Sequence, residues 1–291
     1  MSVFWSKLNA YLELVRLHKP IGIYLLLWPT LWALFIAAQG RPDAIITFTF
    51  VIGVILMRSA GCAINDYADR NFDSHVERTK QRPIVTGRVD PHEALWIFSG
   101  LSLLAFGIAY LTLNSLTLMY ALVAVLLAAS YPFTKRYHPM PQVHLGCAFA
   151  WAIPMAFVAI TNNHPPLVAW LLFFATVLWT TAYDTIYGII DRADDLKIGI
   201  KSTAILFARA DRLIIALLQM VFLLLLWVVG IKVELTAIYY FSLLLSLALF
   251  VYQHILIQHR AGEACLKAFS NNHYVGMCVL IGIIASYWLA I

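Results

Sequence analysis

The sequence predicts an all-α, polytopic membrane protein with nine transmembrane helices. Two observations carry the class and a third fixes the count. Apolar residues make up 62% of the 291 positions and charged residues 12%, where a soluble domain has about 45–50% and about 25%. A water-soluble fold cannot bury that much apolar surface, and disorder is excluded for the same reason. Mean hydropathy is +0.80. Apolar runs long enough for a bilayer core about 30 Å thick recur near 21–38, 45–64, 94–113, 116–132, 143–160, 167–190, 213–231, 235–257 and 273–291.

The basic residues test the count. Seventeen of the 20 Lys and Arg fall in alternate connections, at 1–20, 65–93, 133–142, 190–212 and 258–272. The opposite connections hold only Arg41 and Lys232, and Arg58 lies within a span. Only an odd number of spans gives this alternation. The positive-inside bias then predicts a cytoplasmic N-terminus and a periplasmic C-terminus for one integral-membrane domain over 1–291. The narrowest boundary is Asn114-Ser115, between the third and fourth runs. The net charge of +5 reflects this topology and does not point to nucleic acid. Cys62, Cys147, Cys265 and Cys278 show no paired spacing, so packing is their expected role. The nine histidines show no metal-ligand spacing.

Topology does not explain the acidic residues. Asn65-Asp66-Tyr67-Ala68-Asp69-Arg70-Asn71-Phe72-Asp73 follows the second span, and Tyr183-Asp184 through Asp191 to Asp195 closes the sixth. Helical offsets put Asp66, Asp69 and Asp73 on one stripe, and Asp184, Asp191 and Asp195 on another. Like charges on one stripe repel, and more strongly where water is scarce. A cation must offset them. Hard oxygen donors without His or Cys suit Mg²⁺, which takes one or two carboxylates plus waters and phosphate oxygens. Arg78, Lys80, Arg82 and Arg88 follow the first cluster, Lys197 and Lys201 the second, and Lys135 and Arg136 lie between. Aspartates for metal with Arg and Lys for oxyanions describe a diphosphate site in a central cavity opening at the cytoplasmic side. A secondary transporter would carry its carboxylates near mid-bilayer; these gather at helix ends.

These motifs carry a resemblance. Asn65–Asp73 fits the NDxxDxxxD signature, and Asp191–Asp195 the DxxxD signature, of intramembrane aromatic prenyltransferases. Lys19-Pro20-Ile21-Gly22, Leu27-Trp28-Pro29-Thr30, Arg58-Ser59-Ala60-Gly61-Cys62, Tyr131-Pro132-Phe133 and Lys197–Thr203 resemble the bacterial 4-hydroxybenzoate polyprenyltransferases of ubiquinone synthesis. Ala193 interrupts an acidic run that is longer in such relatives.

The resemblance implies an inner-membrane enzyme that moves a polyprenyl group from a long-chain polyprenyl diphosphate to C3 of 4-hydroxybenzoate, with Mg²⁺. A sibling transferase with another aromatic acceptor is the alternative. Asp66, Asp69 and Asp73 are expected at one ion, and Asp191 and Asp195 at the other. Asp184 is expected as a ligand or proton acceptor, and Asn65 beside a metal-bound water or the aromatic substrate. Arg136 is the expected diphosphate clamp, with Lys135, Arg82 and Lys201 behind it. Arg58, about 10 Å deeper than Asn65 by helical rise, could pair with the acceptor carboxylate. Its alternatives are snorkelling, or an ion pair with Asp66 or Asp184. Tyr67, Phe72, Tyr131, Phe133, Tyr183 and Tyr187 are candidates to shield a carbocation from water.

Overall fold

A computed structural model describes residues 3–289, with side chains from Trp5 onward. The first two and last two residues, and with them the sides assigned to the chain ends, lie outside the described residues. Among the described residues the regular structure is entirely helical. Helix α1 (Val3–Leu14) precedes the spans. It buries Ala10 and Leu14 against Ala63, Ile84, Val89 and Ala94, and it is tied by the pairs Lys7–Glu93 and Glu13–Arg88, both at 2.6 Å.

Helix α2 (Ile21–Ala37) has 17 residues, about 25 Å by helical rise, slightly short of a bilayer core. Among the described residues eight further elements are long and apolar enough to span, and the shorter α2 brings the apolar helices of the bundle to about nine. Asp43 caps α3 (Ala44–Asp69) by accepting from Ile45 N and Ile46 N. Asp90 and Glu93 form a capping box on α4 (Pro91–Thr112). Asn114 starts α5 (Ser115–Tyr137): its side chain accepts from Thr117 N at 2.8 Å and donates to Val158 O at 3.0 Å. Two residues therefore suffice for the tightest connection.

The run at 143–160 divides into α6 (Pro141–Ala150) and α7 (Ala152–Thr161). Pro154 is the reason, since it offers no N–H to the carbonyl four residues back, at Ala150. Helix α8 (Leu167–Ile198) is the longest, at 32 residues, and stops at Gly199 with φ 73°. Short α9 (Thr203–Phe207) leads into α10 (Asp211–Lys232), followed by α11 (Ala237–Leu256) and α12 (Gly262–Leu289). Helix α12 begins 11 residues before the predicted run. Its polar start is helical with one buried face, Cys265, Ala268 and Asn272, and Asn272 accepts from Trp179 Nε1 at 2.8 Å.

Trp32, Trp179 and Phe222 stack at the centre of the core, with neighbouring centroids 5.5 Å apart. The first and last spans close on each other: Trp28 fills the notch at Gly276 and Trp32 Nε1 donates to Gly276 O at 3.0 Å. The walls differ in tightness. In α8, 61% of the apolar window is buried inside the protein; in α4 and α5 it is 11%.

Candidate active site

A cavity of about 1210 Å³ opens among α2, α3, α4, α5, α6, α7, α8 and α12. One end carries both aspartate clusters; the other is apolar and reaches Thr49, Leu113 and Ala121. The two clusters thus face one space. Asp66, Asp69, Asp73, Asp184, Asp191 and Asp195 all line it, as do Asn65, Arg58, Arg82, Lys135 and Lys201. The second stripe is continuous, because α8 carries all three of its aspartates.

The first is not. Helix α3 stops at Asp69, and Asp73 begins a 3₁₀ turn, Asp73–His75. The predicted single helical stripe is therefore two segments, and an arginine restores their convergence. Arg82 Nη1 lies 3.0 Å from Asp66 and 2.6 Å from Asp73, so it folds the chain back over the helix end. Burial pushes the Asp73 carboxyl above the usual carboxylate range, against the opposing pull of Arg82.

Each carboxylate of the first cluster is held by a cation from elsewhere. Arg16, in the turn after α1 at φ 56°, donates to Asp66 at 2.5 Å. Lys135 reaches Asp69 at 2.5 Å, and Asn65 Nδ2 donates to the same oxygen at 3.1 Å. In the second cluster Arg78 lies along Asp191, through Nε at 3.0 Å and Nη2 at 2.5 Å, with its guanidinium over the Tyr187 ring at 4.7 Å. The side chains of Asp184 and Asp195 have no hydrogen bond or ion pair among the described residues. Lys201 Nζ donates to Tyr137 O at 3.1 Å, while its own N–H bonds Lys135 O and so joins the loop after α8 to the end of α5.

Arg136 sits elsewhere. It donates to Ala68 O at 2.5 Å, a carbonyl left over at the end of α3, and stacks on Phe72 and Phe133. It is not among the cavity-lining residues. Arg16 takes a place in the cavity although its position in the sequence pointed only to topology, and Arg78, expected among the basic residues flanking the first cluster, pairs with Asp191 of the second. Lys80 and Arg88 pair with Glu77 and Glu13 instead. Of the six aromatics expected around a carbocation, Phe72, Tyr131, Tyr183 and Tyr187 line the cavity, and Tyr67 and Phe133 do not.

Arg58, like Asp184, is a charged residue within a span that has no ion pair among the described residues; its side chain donates from Nη1 to Cys62 Sγ at 2.8 Å. The four cysteines are all free.

The donor set fits hard cations. Among the described residues no three acidic side chains converge on one point. An ion here would therefore be completed by water and phosphate oxygens, as Mg²⁺ prefers. Oxygens of Asp184 and Asp195 face the cavity with no protein partner.

Comparison with known proteins agrees with this geometry. Residues 26–277 match the UbiA prenyltransferase family. The chain is 56% identical over 280 residues to a 4-hydroxybenzoate octaprenyltransferase of Aeromonas salmonicida (strain A449), covering 96% of each chain. A protein of the same name from Chromohalobacter salexigens is 54% identical, with 97% of this chain and 94% of that one covered. Among solved structures, a UbiA homologue from Aeropyrum pernix K1 superimposes with a TM-score of 0.79 at 25% identity, over 89% of this chain and 97% of that one. A UbiA homologue from Archaeoglobus fulgidus bound to GPP and Mg²⁺ gives 0.69 at 17% identity, over 95% and 99%. Two aspartate clusters facing one intramembrane cavity are thus set in a fold and a sequence shared along nearly the whole chain, and the protein belongs to the UbiA prenyltransferase family.

Proposed function

We propose that this protein transfers a polyprenyl group from a long-chain polyprenyl diphosphate to C3 of 4-hydroxybenzoate, releasing diphosphate, in the bacterial inner membrane. The observation that carries the reading is the convergence of six aspartates with Arg16, Arg78, Arg82, Lys135 and Lys201 at one end of a cavity whose far end is apolar. Relatives more than 50% identical bear the name 4-hydroxybenzoate octaprenyltransferase.

In this reading one Mg²⁺ would sit among Asp66, Asp69 and Asp73, bound by one or two of them at a time and completed by water and phosphate oxygens, and the other would sit at Asp191 and Asp195. The ions supply positive charge where the diphosphate becomes more anionic as the allylic C–O bond breaks. Lys135, Arg82 and Lys201, joined by Arg16 and Arg78, orient the diphosphate oxygens through charge-assisted bonds. Asn65 fixes the Asp69 carboxylate and faces the aromatic substrate. Arg58 takes the acceptor carboxylate, since an arginine in a span with only a thiol for acceptor is held for an anionic ligand. Asp184, on the helix opposite α3, accepts the proton that C3 loses. Tyr131, Tyr183 and Tyr187 keep water from the cation and turn ring faces to it. The tail occupies the apolar part of the cavity and passes through its loose wall into lipid.

Purified protein incubated with 4-hydroxybenzoate, octaprenyl diphosphate and Mg²⁺ should yield the C3-prenylated acid by mass spectrometry. No product with that acceptor, alongside turnover of a naphthoate or homogentisate, would move the assignment to a sibling transferase.

A further inference from the structure

We infer that Gly22 is a specificity-determining residue, its missing side chain being the space in which the Arg58 guanidinium is held for the acceptor carboxylate. The inference rests on the reading of Arg58 given above and adds the feature that places it. A methyl group built on Gly22 would lie 2.6 Å from Arg58 Nη2 and 2.8 Å from Cζ, and closer still to Nε. All three nearest atoms belong to Arg58. Helix α2 therefore presents bare backbone to a flat cation. Non-bonded carbon contacts lie near 3.5–4.0 Å, so no larger residue at position 22 shares that space with this rotamer.

The opposite edge of the guanidinium is also fixed, by Nη1 donating to Cys62 Sγ one turn along α3. Backbone on one side and a thiol on the other leave the remaining N–H groups for the cavity, which both Gly22 and Arg58 line. With the Nε–Nη2 edge turned to Gly22 and Nη1 tied to Cys62, the Nη1–Nη2 end is the edge left for a carboxylate, which a guanidinium prefers to a phenol or an ester. Neither neighbour is an anion, and among the described residues no carboxylate hydrogen-bonds or ion-pairs directly with Arg58, so an acidic acceptor supplies the direct partner that it lacks. Gly22 is a positioning residue: it touches Arg58 and not the reacting atoms.

The test uses Gly22→Ala in the full-length protein, with steady-state kinetics for both substrates and calorimetric binding of 4-hydroxybenzoate and of its neutral methyl ester. The added methyl meets only the far end of a flexible side chain, so the protein should fold and the guanidinium should move. The expected result is a KM and Kd for the acid raised about tenfold, the loss of one charge-assisted contact. Preference for acid over ester should fall by the same factor, with kcat and the KM for the diphosphate within about twofold of wild type. An unchanged acid KM and preference, or equal rises in both KM values, overturns the inference. Arg58→Ala separates the two levels. If it leaves the acid KM unchanged, the reading of Arg58 fails. If it raises that KM while Gly22→Ala does not, only the inference about Gly22 fails. Should Gly22→Ala not accumulate, Cys62→Ala removes the other anchor and must raise the acid KM severalfold; an unchanged value overturns the proposal.

Discussion

The end of α3 and the end of α8 offer the same number of aspartates to one cavity, yet their surroundings differ. At α3, Arg16, Arg82 and Lys135 come from three separate segments and leave none of Asp66, Asp69 and Asp73 without an ion pair. At α8, Arg78 alone covers Asp191, and Asp184 and Asp195 stand without a protein partner. The α3 cluster is therefore as much a fastening of the fold as a part of the site: it draws together the turn after α1, the connection after α3 and the end of α5. The α8 cluster is carried by one tightly buried helix and needs no such fastening, so its negative charge is left for a ligand. Similar sequence signatures thus serve unequal physical duties.

The comparison is broken most directly at Asp66, which is 2% exposed. Asp66→Ala removes the acceptor of Arg16 and one of the two acceptors of Arg82, and stranding buried charge costs about 3–5 kcal/mol. Asp195→Ala strands nothing and should cost under about 1 kcal/mol. Thermal unfolding in detergent reads both, and equal losses would erase the distinction. For chemistry the two clusters should become equivalent. Asp69→Asn and Asp191→Asn should each lower kcat/KM for prenyl transfer by about a hundredfold or more, the scale seen when one group stabilising developing charge is lost. Near-normal turnover in either would remove that side from the reaction. The smallest effect is expected at Arg136. Because it caps α3 through Ala68 O, Arg136→Ala should cost about 1 kcal/mol of stability and leave the KM for the diphosphate within about twofold. A large rise in that KM would return Arg136 to the clamp.

Much of this was legible because bilayers impose simple rules. Apolar runs and the alternation of basic loops led to about the number of crossing elements found, and Asn114-Ser115 was visible as the break between two of them. The aspartate spacings placed both clusters at helix ends and on one cavity. What escaped depended on contacts between distant segments. Arg16 read as one more topogenic charge, since nothing local shows that the turn after α1 delivers it to Asp66. Arg136 neighbours Lys135, but on a helix adjacent residues face different ways, so one reaches Asp69 and the other the back of α3. Asp73 sits at a helical offset from Asp69, yet the helix ends between them and Arg82 does the gathering. The start of α12 before residue 273 escaped because the burial of Asn272 against Trp179 and the bond from Gln253 of α11 to Asn271 cannot be seen one residue at a time.

The exposed outer faces of α4 and α5 also bear on traffic. A wall that buries little of itself has hydrocarbon for its outer face, so a tailed reactant and a tailed product can exchange with the membrane without ever meeting water. Supply of the donor then follows its density within the leaflet rather than its amount per volume of cytosol. The bilayer around such an enzyme acts as its substrate reservoir, and diluting that reservoir with added lipid should slow turnover even when every molecule of catalyst remains intact.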